Sequence, residues 1–403
     1  MTEEYIRNLF NSNKEILFLP VEVSSGNEVY PTLFALWQEY IKFLTHTPEL
    51  SDCVSEAEFQ INHLKTCVES YFSGDFYAAD EAIKAILIRI NRRKNSSIIT
   101  NLFDLYIDNE SHQCFRARQG AATANFKRKD MKHVPYSLRE KVGNTRYSIS
   151  GIPCLYLGNS IYVCCCEAQK SGGEQIWISR YVPRQSVRIL NLSTTAFELV
   201  NATTFIKGLT NNSFTDDKYT SIVKEYFSNW ILQSACSVYV KREAEVPFKE
   251  EYIIPQRLMC MIKQFGIDGI MYFTVRDRGS FISHLCWISK NIAMPAFDTI
   301  NSAHSEKIDH LFMMSEPLYL EDFKNGHAGT GKKCSPTHTN WARTNEPVII
   351  NGEFTKYNCT DYYRAEVELM QPEYWEESDR DIIQKVFPLE YRYAKENKDA
   401  KEN

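Results

Sequence analysis

Residues 143–169 run Gly143-Asn-Thr-Arg146-Tyr147-Ser-Ile-Ser-Gly151-Ile-Pro-Cys-Leu-Tyr156-Leu-Gly158-Asn159-Ser160-Ile-Tyr-Val163-Cys-Cys-Cys-Glu167-Ala-Gln169. Arg146 falls in a Gly-bounded turn. Pro153 to Leu157 reads as a short strand carrying Tyr156, and Gly158 closes it. Asn159 and Ser160 are both good helix N-caps, so a helix opens there and runs to about Gln169, with Glu167 on its second turn. A strand–turn–helix unit of this length folds back on itself, which lets Tyr156 and Glu167 line one pocket. Glu167 is the only charge between Arg146 and Lys170, and Val163 to Ala168 is otherwise apolar or cysteine. A carboxylate in such surroundings needs a partner or a function. On spacing alone it is either half of a structural Glu–Arg ion pair or part of a site.

The same texture extends downstream. Gln175–Ser179, Val187–Leu192, Gly269–Phe273 and Ser283–Ile288 are short β-rich runs, most of them flanked by Gly, Pro or Asn. Helices alternate with them. One carries Ile222, Val223, Tyr226, Phe227, Trp230 and Ile231; another carries Leu258, Met261, Ile262 and Phe265 and stops at Gly266. The mixture predicts an α+β fold of small packed sheets with helices around them. Upstream, three amphipathic stripes predict a helical bundle. Leu33 to Leu44 follows Pro31, Ala57 to Tyr71 stops at Gly74, and Ala79 to Ile90 starts from Asp75 and ends in basic residues. Residues 94–98 are the expected linker. The predicted organisation is an N-terminal helical domain over 1–105, a central domain over 106–300 and a C-terminal extension over 301–403 packing on it. Within that extension 325–345 reads as a loop and the last ten residues as frayed.

The 403 residues carry 46 Lys and Arg against 51 Asp and Glu, a net charge of −5, with 43% hydrophobic residues. That is the mix of a folded globular chain and not the basic excess of a nucleic-acid binder. Acidic residues stand near the N-terminus where a signal peptide needs basic ones, and no apolar run approaches membrane-spanning length. A cytoplasmic protein is expected. The twelve cysteines include no Cys-x-x-Cys pair, so they read as core residues rather than a metal or disulfide framework.

The pattern Arg146-x₉-Tyr156-x₁₀-Glu167, with Gly-x-Pro-x-Leu-Tyr-Leu inside it, resembles the RES domain family. Upstream, Cys114-Phe-Arg116-Ala-Arg118 is similar to the family's opening Phe/Tyr-Arg-x-Arg. Downstream, Tyr252 to Gln256 and Gly266-Ile-Asp-Gly-Ile-Met-Tyr272-Phe-Thr274-Val-Arg276 resemble its Gln-helix-Gly-Ile-x-Tyr-x-Ser-x-Arg block. Tyr71-Phe-Ser-Gly-Asp75 leading into a helix also looks like the HEPN-like domain that precedes some RES domains. The resemblance, over about 112–290, implies an ADP-ribosyltransferase-like fold and cleavage of NAD⁺ at the nicotinamide–ribose bond, by water as a glycohydrolase or by inorganic phosphate as a phosphorylase. It implies a bacterial toxin or defence effector restrained by an antitoxin or regulatory protein, with homo-oligomerisation open and no metal. Glu167, Arg146, Tyr156 and Thr274 are the implied catalytic residues; Arg116, Arg118, Tyr147, Gln256 and Tyr272 are the implied substrate-binding residues. Thr274 departs from the pattern by standing where the family has serine. It keeps a hydroxyl but adds a methyl and is stiff at χ1; Ser280 and Ser283 lie nearby.

The alternatives are an ADP-ribosyltransferase acting on a macromolecule, or a HEPN-type ribonuclease or non-catalytic binding module. Arg128-x₄-His133 has the HEPN ribonuclease spacing but lies outside the bundle in a polar loop. Gly326 to Lys333 looks like a phosphate-binding loop, yet Lys333 occupies the place of its Ser or Thr. His304 and His310 near Glu306 and Asp309 match no familiar zinc spacing and read as solvated.

Overall fold

The computed structural model describes residues 1–24, 28–93, 98–102, 113–168, 175–201, 216–242, 246–275, 288–297, 302–322, 347–350 and 353–386. All but Ile98 of the expected linker, the 326–333 loop, most of the 283–288 strand, Ser280, Ser283, Arg276 and the last ten residues lie outside them. Numbered along the chain, the helices used below are α1 (Val29–Thr45), α2 (Val54–Phe72), α3 (Phe76–Asn91), α4 (Ile161–Ala168), α5 (Asp216–Cys236), α6 (Ile253–Met261), α7 (Asp361–Glu368) and α8 (Glu377–Val386). The strands are β1 (Val21–Val23), β2 (Cys114–Gln119), β3 (Cys154–Gly158), β4 (Ile176–Pro183), β5 (Arg188–Leu192), β6 (Val238–Val240), β7 (Gly269–Phe273), β8 (Lys290–Pro295), β9 (Phe312–Met314) and β10 (Leu318–Tyr319). The architecture is α+β, as the mixed texture predicts.

The chain forms two compact units, each drawn from three segments. The first comprises Met1–Thr100, Val142–Ile152 and Arg188–Val275. Its helices α1, α2 and α3 follow the predicted stripes. Pro31 sits in the first turn of α1, Gly74 takes φ +84° just after α2, and Asp75 caps α3 by accepting from the Ala78 amide at 2.9 Å. Residues 188–275, grouped by sequence texture with the 106–300 domain, cluster with this bundle. The reason is α5, whose long apolar face lies against it. Tyr40 stacks on Trp230 at 4.3 Å and donates to the Phe227 carbonyl, while Trp37 donates to Ser234 Oγ at 2.9 Å. Trp37, Tyr40 and Trp230 are fully buried, and each such ring contributes on the order of 2–3 kcal/mol. In the same unit β1 pairs in parallel with β6, and β5 in parallel with β7.

The second unit comprises Asn101–Lys141, Pro153–Val187 and Arg276–Asn403. It holds antiparallel strands in the order β9–β4–β2–β3–β8, and β10 also pairs with β4. On one face α4 packs with Phe115, Ile176, Ile178, Leu318 and Leu369 into a core that takes in Cys164 and Cys165. The three adjacent cysteines are thus packing residues in the main: Cys164 and Cys165 are buried and Cys166 half-buried. Among the described residues no helix is long and apolar enough to cross a membrane, and no group of three or more His, Cys, Asp or Glu side chains is placed to hold a metal ion.

Candidate functional site

The 153–168 stretch folds as its residues dictate. Ser160 caps α4 by accepting from the Val163 amide at 3.0 Å. Gly158 lets the strand approach the helix: a Cβ there would lie 2.6 Å from Val163 Cγ1 and 2.7 Å from Cys164 Sγ. The first amide of α4, at Ile161, donates to Oε1 of Glu366, a buried carboxylate of α7, at 2.9 Å. The same oxygen accepts from the Tyr357 hydroxyl at 2.5 Å. A carboxylate at this end complements the helix dipole. No pattern within 143–169 announces Glu366; it arrives from 205 residues downstream.

Glu167 lies in the last turn of α4 and is half-buried. Its Oε1 accepts from Asn291 Nδ2 at 3.1 Å. Asn291 is on β8, opposite Gly158 of β3, two residues along from the pair Tyr156 and Ala293. Arg116 of β2 donates from Nη1 to the Tyr156 carbonyl at 3.2 Å, and its Nε is buried with no acceptor among the described residues. Burial pushes the Arg116 guanidinium below its ordinary pKa. Glu167, Tyr156 and Arg116 are therefore carried by adjoining elements of one unit. Arg118, two residues on, is exposed; it donates to the Asp130 carbonyl and lies 4.9 Å from the Phe126 ring centre.

The remaining predicted residues belong to the first unit. Arg146 donates to the Cys236 carbonyl at 3.3 Å and the Val238 carbonyl at 2.7 Å, with its guanidinium 5.1 Å from the Tyr252 ring centre. It thereby meets the C-terminal end of α5, where a cation suits the dipole. Tyr147 is fully buried against Tyr272, with ring centres 4.5 Å apart. Its hydroxyl is pushed well above its ordinary pKa, by burial first and then by the neighbouring Cys236 thiol. Gln256 of α6 donates to Asn144 Oδ1 at 2.7 Å and to the Thr145 carbonyl at 3.0 Å, pinning the 142–152 turn. Thr274 follows β7 and is buried.

Arg128 opens a short 3₁₀ turn, Arg128–Met131, and His133 follows it, both outside the bundle. His133 is buried, its Nε2 accepts from the Ser305 amide at 2.8 Å, and Nδ1 is 2.8 Å from the Val134 carbonyl. Burial lowers its pKa to about 4. Both ring nitrogens are thus engaged and the ring is neutral, which leaves no imidazole nitrogen for the proton transfer a ribonuclease needs. His304 is half-buried against it, with ring centres 5.2 Å apart, and not solvated as its sequence neighbours suggest; His310 is exposed.

No family model and no solved structure matches the chain. It is similar to a protein of Bacillus subtilis (strain 168) named "Putative toxin YopC", at 28% identity over 321 residues, covering 76% of this chain and 69% of that relative.

Proposed function

We propose that this chain is a toxin that depletes NAD⁺ by breaking the nicotinamide–ribose bond. The observation that carries the reading is Glu167: a half-buried carboxylate oriented by Asn291, on elements that also carry Tyr156 and Arg116. The similarity to a relative named as a toxin supports the biological role, and with it a dedicated protein partner that restrains the activity.

The chemistry follows from charge. Nicotinamide is cationic in NAD⁺ and leaves neutral, so positive charge builds on the ribose as the bond lengthens. A fixed carboxylate beside the ribose stabilises that oxocarbenium-like state more than the ground state. Asn291 holds one carboxylate oxygen, which limits reorganisation as charge develops. Tyr156 offers a ring for stacking. Arg116 offers a forked donor set to the pyrophosphate, with Nε lacking any protein acceptor among the described residues. Arg146, Tyr147, Tyr272 and Thr274 belong to the first unit, where Arg146 clamps the end of α5, so the step rests on Glu167, Tyr156 and Arg116. Water or inorganic phosphate then captures the ribose carbon, and nicotinamide departs with the bonding electron pair.

The test is product identification after incubating the purified chain with NAD⁺, with and without inorganic phosphate. Nicotinamide with ADP-ribose marks a glycohydrolase; nicotinamide with a phosphorylated ADP-ribose marks a phosphorylase; label retained on a macromolecule marks a transferase. Glu167→Gln should lower turnover by about 10²–10³-fold, the scale of losing one preorganised electrostatic group. Intact NAD⁺ in every buffer with the wild type would remove the proposal.

A further inference from the structure

The second unit contains a cavity of about 310 Å³ that no step above uses. Its size lies at the lower end of small-molecule sites, suited to one ring and its substituent. Tyr181, Phe312 and Met314 are among its apolar walls, and Arg128, Lys129 and Lys132 stand on its basic side. The Arg128-x₄-His133 spacing, which supplies no ribonuclease centre, brings both residues to this cavity.

Lys132 meets Asp309 at 2.6 Å, both partly exposed, and the arginine pairs around the cavity are of two further kinds. Arg184 meets Asp379 at 2.9 Å, and there the carboxylate is the buried member, with 3% of its side chain exposed. That pair belongs to the wall. Arg128 is the reverse. Its side chain is only 17% exposed, while its partners Glu316 and Glu376 are 44% and 61% exposed. Its Nη2 also donates to the Tyr374 carbonyl at 3.1 Å. A mostly buried guanidinium has paid its desolvation cost and gains most from a strong anion. A largely solvated glutamate gives little in return and swings out at small cost. Glu376 therefore occupies Arg128 as an exchangeable anion.

We propose that the cavity is a binding site for a phosphate monoester of a planar-ring compound, of the mononucleotide class. The phosphate replaces Glu376 on Arg128, with Lys129 adding to its charge balance, and the ring lies against Tyr181 and Phe312. A phosphate in place of Glu376 accepts a charge-assisted bond from Arg128 Nη1 and carries about twice the charge of a carboxylate. The site goes beyond the NAD⁺-cleaving reading and does not depend on it.

Isothermal titration of the full chain with AMP, inorganic phosphate and adenosine tests the proposal. AMP should bind more tightly than phosphate or adenosine. Arg128→Gln should weaken AMP by about tenfold or more, the scale of one charge-assisted hydrogen bond. Glu376→Gln, a change at an exposed position that leaves the core intact, should tighten AMP several-fold by removing the competitor. The proposal is overturned if AMP does not bind, if phosphate alone binds as tightly, or if Glu376→Gln leaves AMP affinity unchanged. AMP binding indifferent to both variants belongs to another site and also overturns it. None of these outcomes touches the NAD⁺ reading, because AMP has no nicotinamide bond.

Discussion

A histidine with a pKa near 4 stores a pH dependence in one side chain. His133 accepts a backbone amide at Nε2, so protonating it would set two donors against each other in a buried place. The unfolded chain takes up a proton near pH 6.5, whereas the folded chain resists until about pH 4. Above 6.5 both states are neutral at this ring and it contributes no slope. Between 6.5 and 4 the unfolded state binds more protons, so stability falls as pH falls, by on the order of 3 kcal/mol from this residue. His304, whose pKa is also lowered by burial, adds to the same side. Urea unfolding from pH 7 to 4 should show the decline, and His133→Gln, which keeps an acceptor but does not titrate, should flatten it. An unchanged slope in that variant would place the proton uptake elsewhere. At this scale the sequence is half legible. Glu167 is visible as an isolated charge in an apolar run, but Asn291, which orients it, lies 124 residues away. Arg146 is visible as a conspicuous arginine, but its partners are main-chain carbonyls, which have no letter in a sequence.

Helix ends explain which elements were readable. Gly74 and Asp75 mark the α2–α3 turn through local backbone and capping chemistry, and both behave as local rules require. The start of α4 is different, because the Ser160 hydroxyl accepts from the Val163 amide and not from that of Ile161. The Ile161 amide depends on Glu366, delivered by α7 from a region with weak patterning. Replacing Glu366 by Leu would leave the Ile161 N–H and the Tyr357 hydroxyl buried without their acceptor. The expected loss is about 2–3 kcal/mol, the cost of orphaning donors of a charged acceptor, read from the midpoint of chemical unfolding. NAD⁺ turnover should fall as well, since Glu167 rides on the same helix. Glu366→Gln retains an acceptor oxygen and should recover most of the stability. A Leu variant as stable as wild type would mean that the Ile161 amide finds another acceptor.

At the scale of the whole molecule, the α+β class was legible because it follows from local periodicity. Which segments cluster was not, because that depends on contacts between distant parts of the chain. β1 finds β6 more than 200 residues away, and α5 buries its aromatic face on helices from the first hundred residues. A chain so assembled makes large deletions poor tests of function, since removing 188–275 strips the bundle of its core partner. Point substitution at a half-buried position avoids that problem. Expressed in a bacterial host, the wild-type chain should lower cellular NAD⁺ and then viable count, in that order, if NAD⁺ loss is the cause of toxicity. Glu167→Gln should abolish both while accumulating to the same level with the same melting temperature, because Gln keeps the shape and an oxygen to accept from Asn291. Growth arrest that persists in Glu167→Gln with NAD⁺ intact would separate toxicity from this carboxylate and direct attention to the other unit.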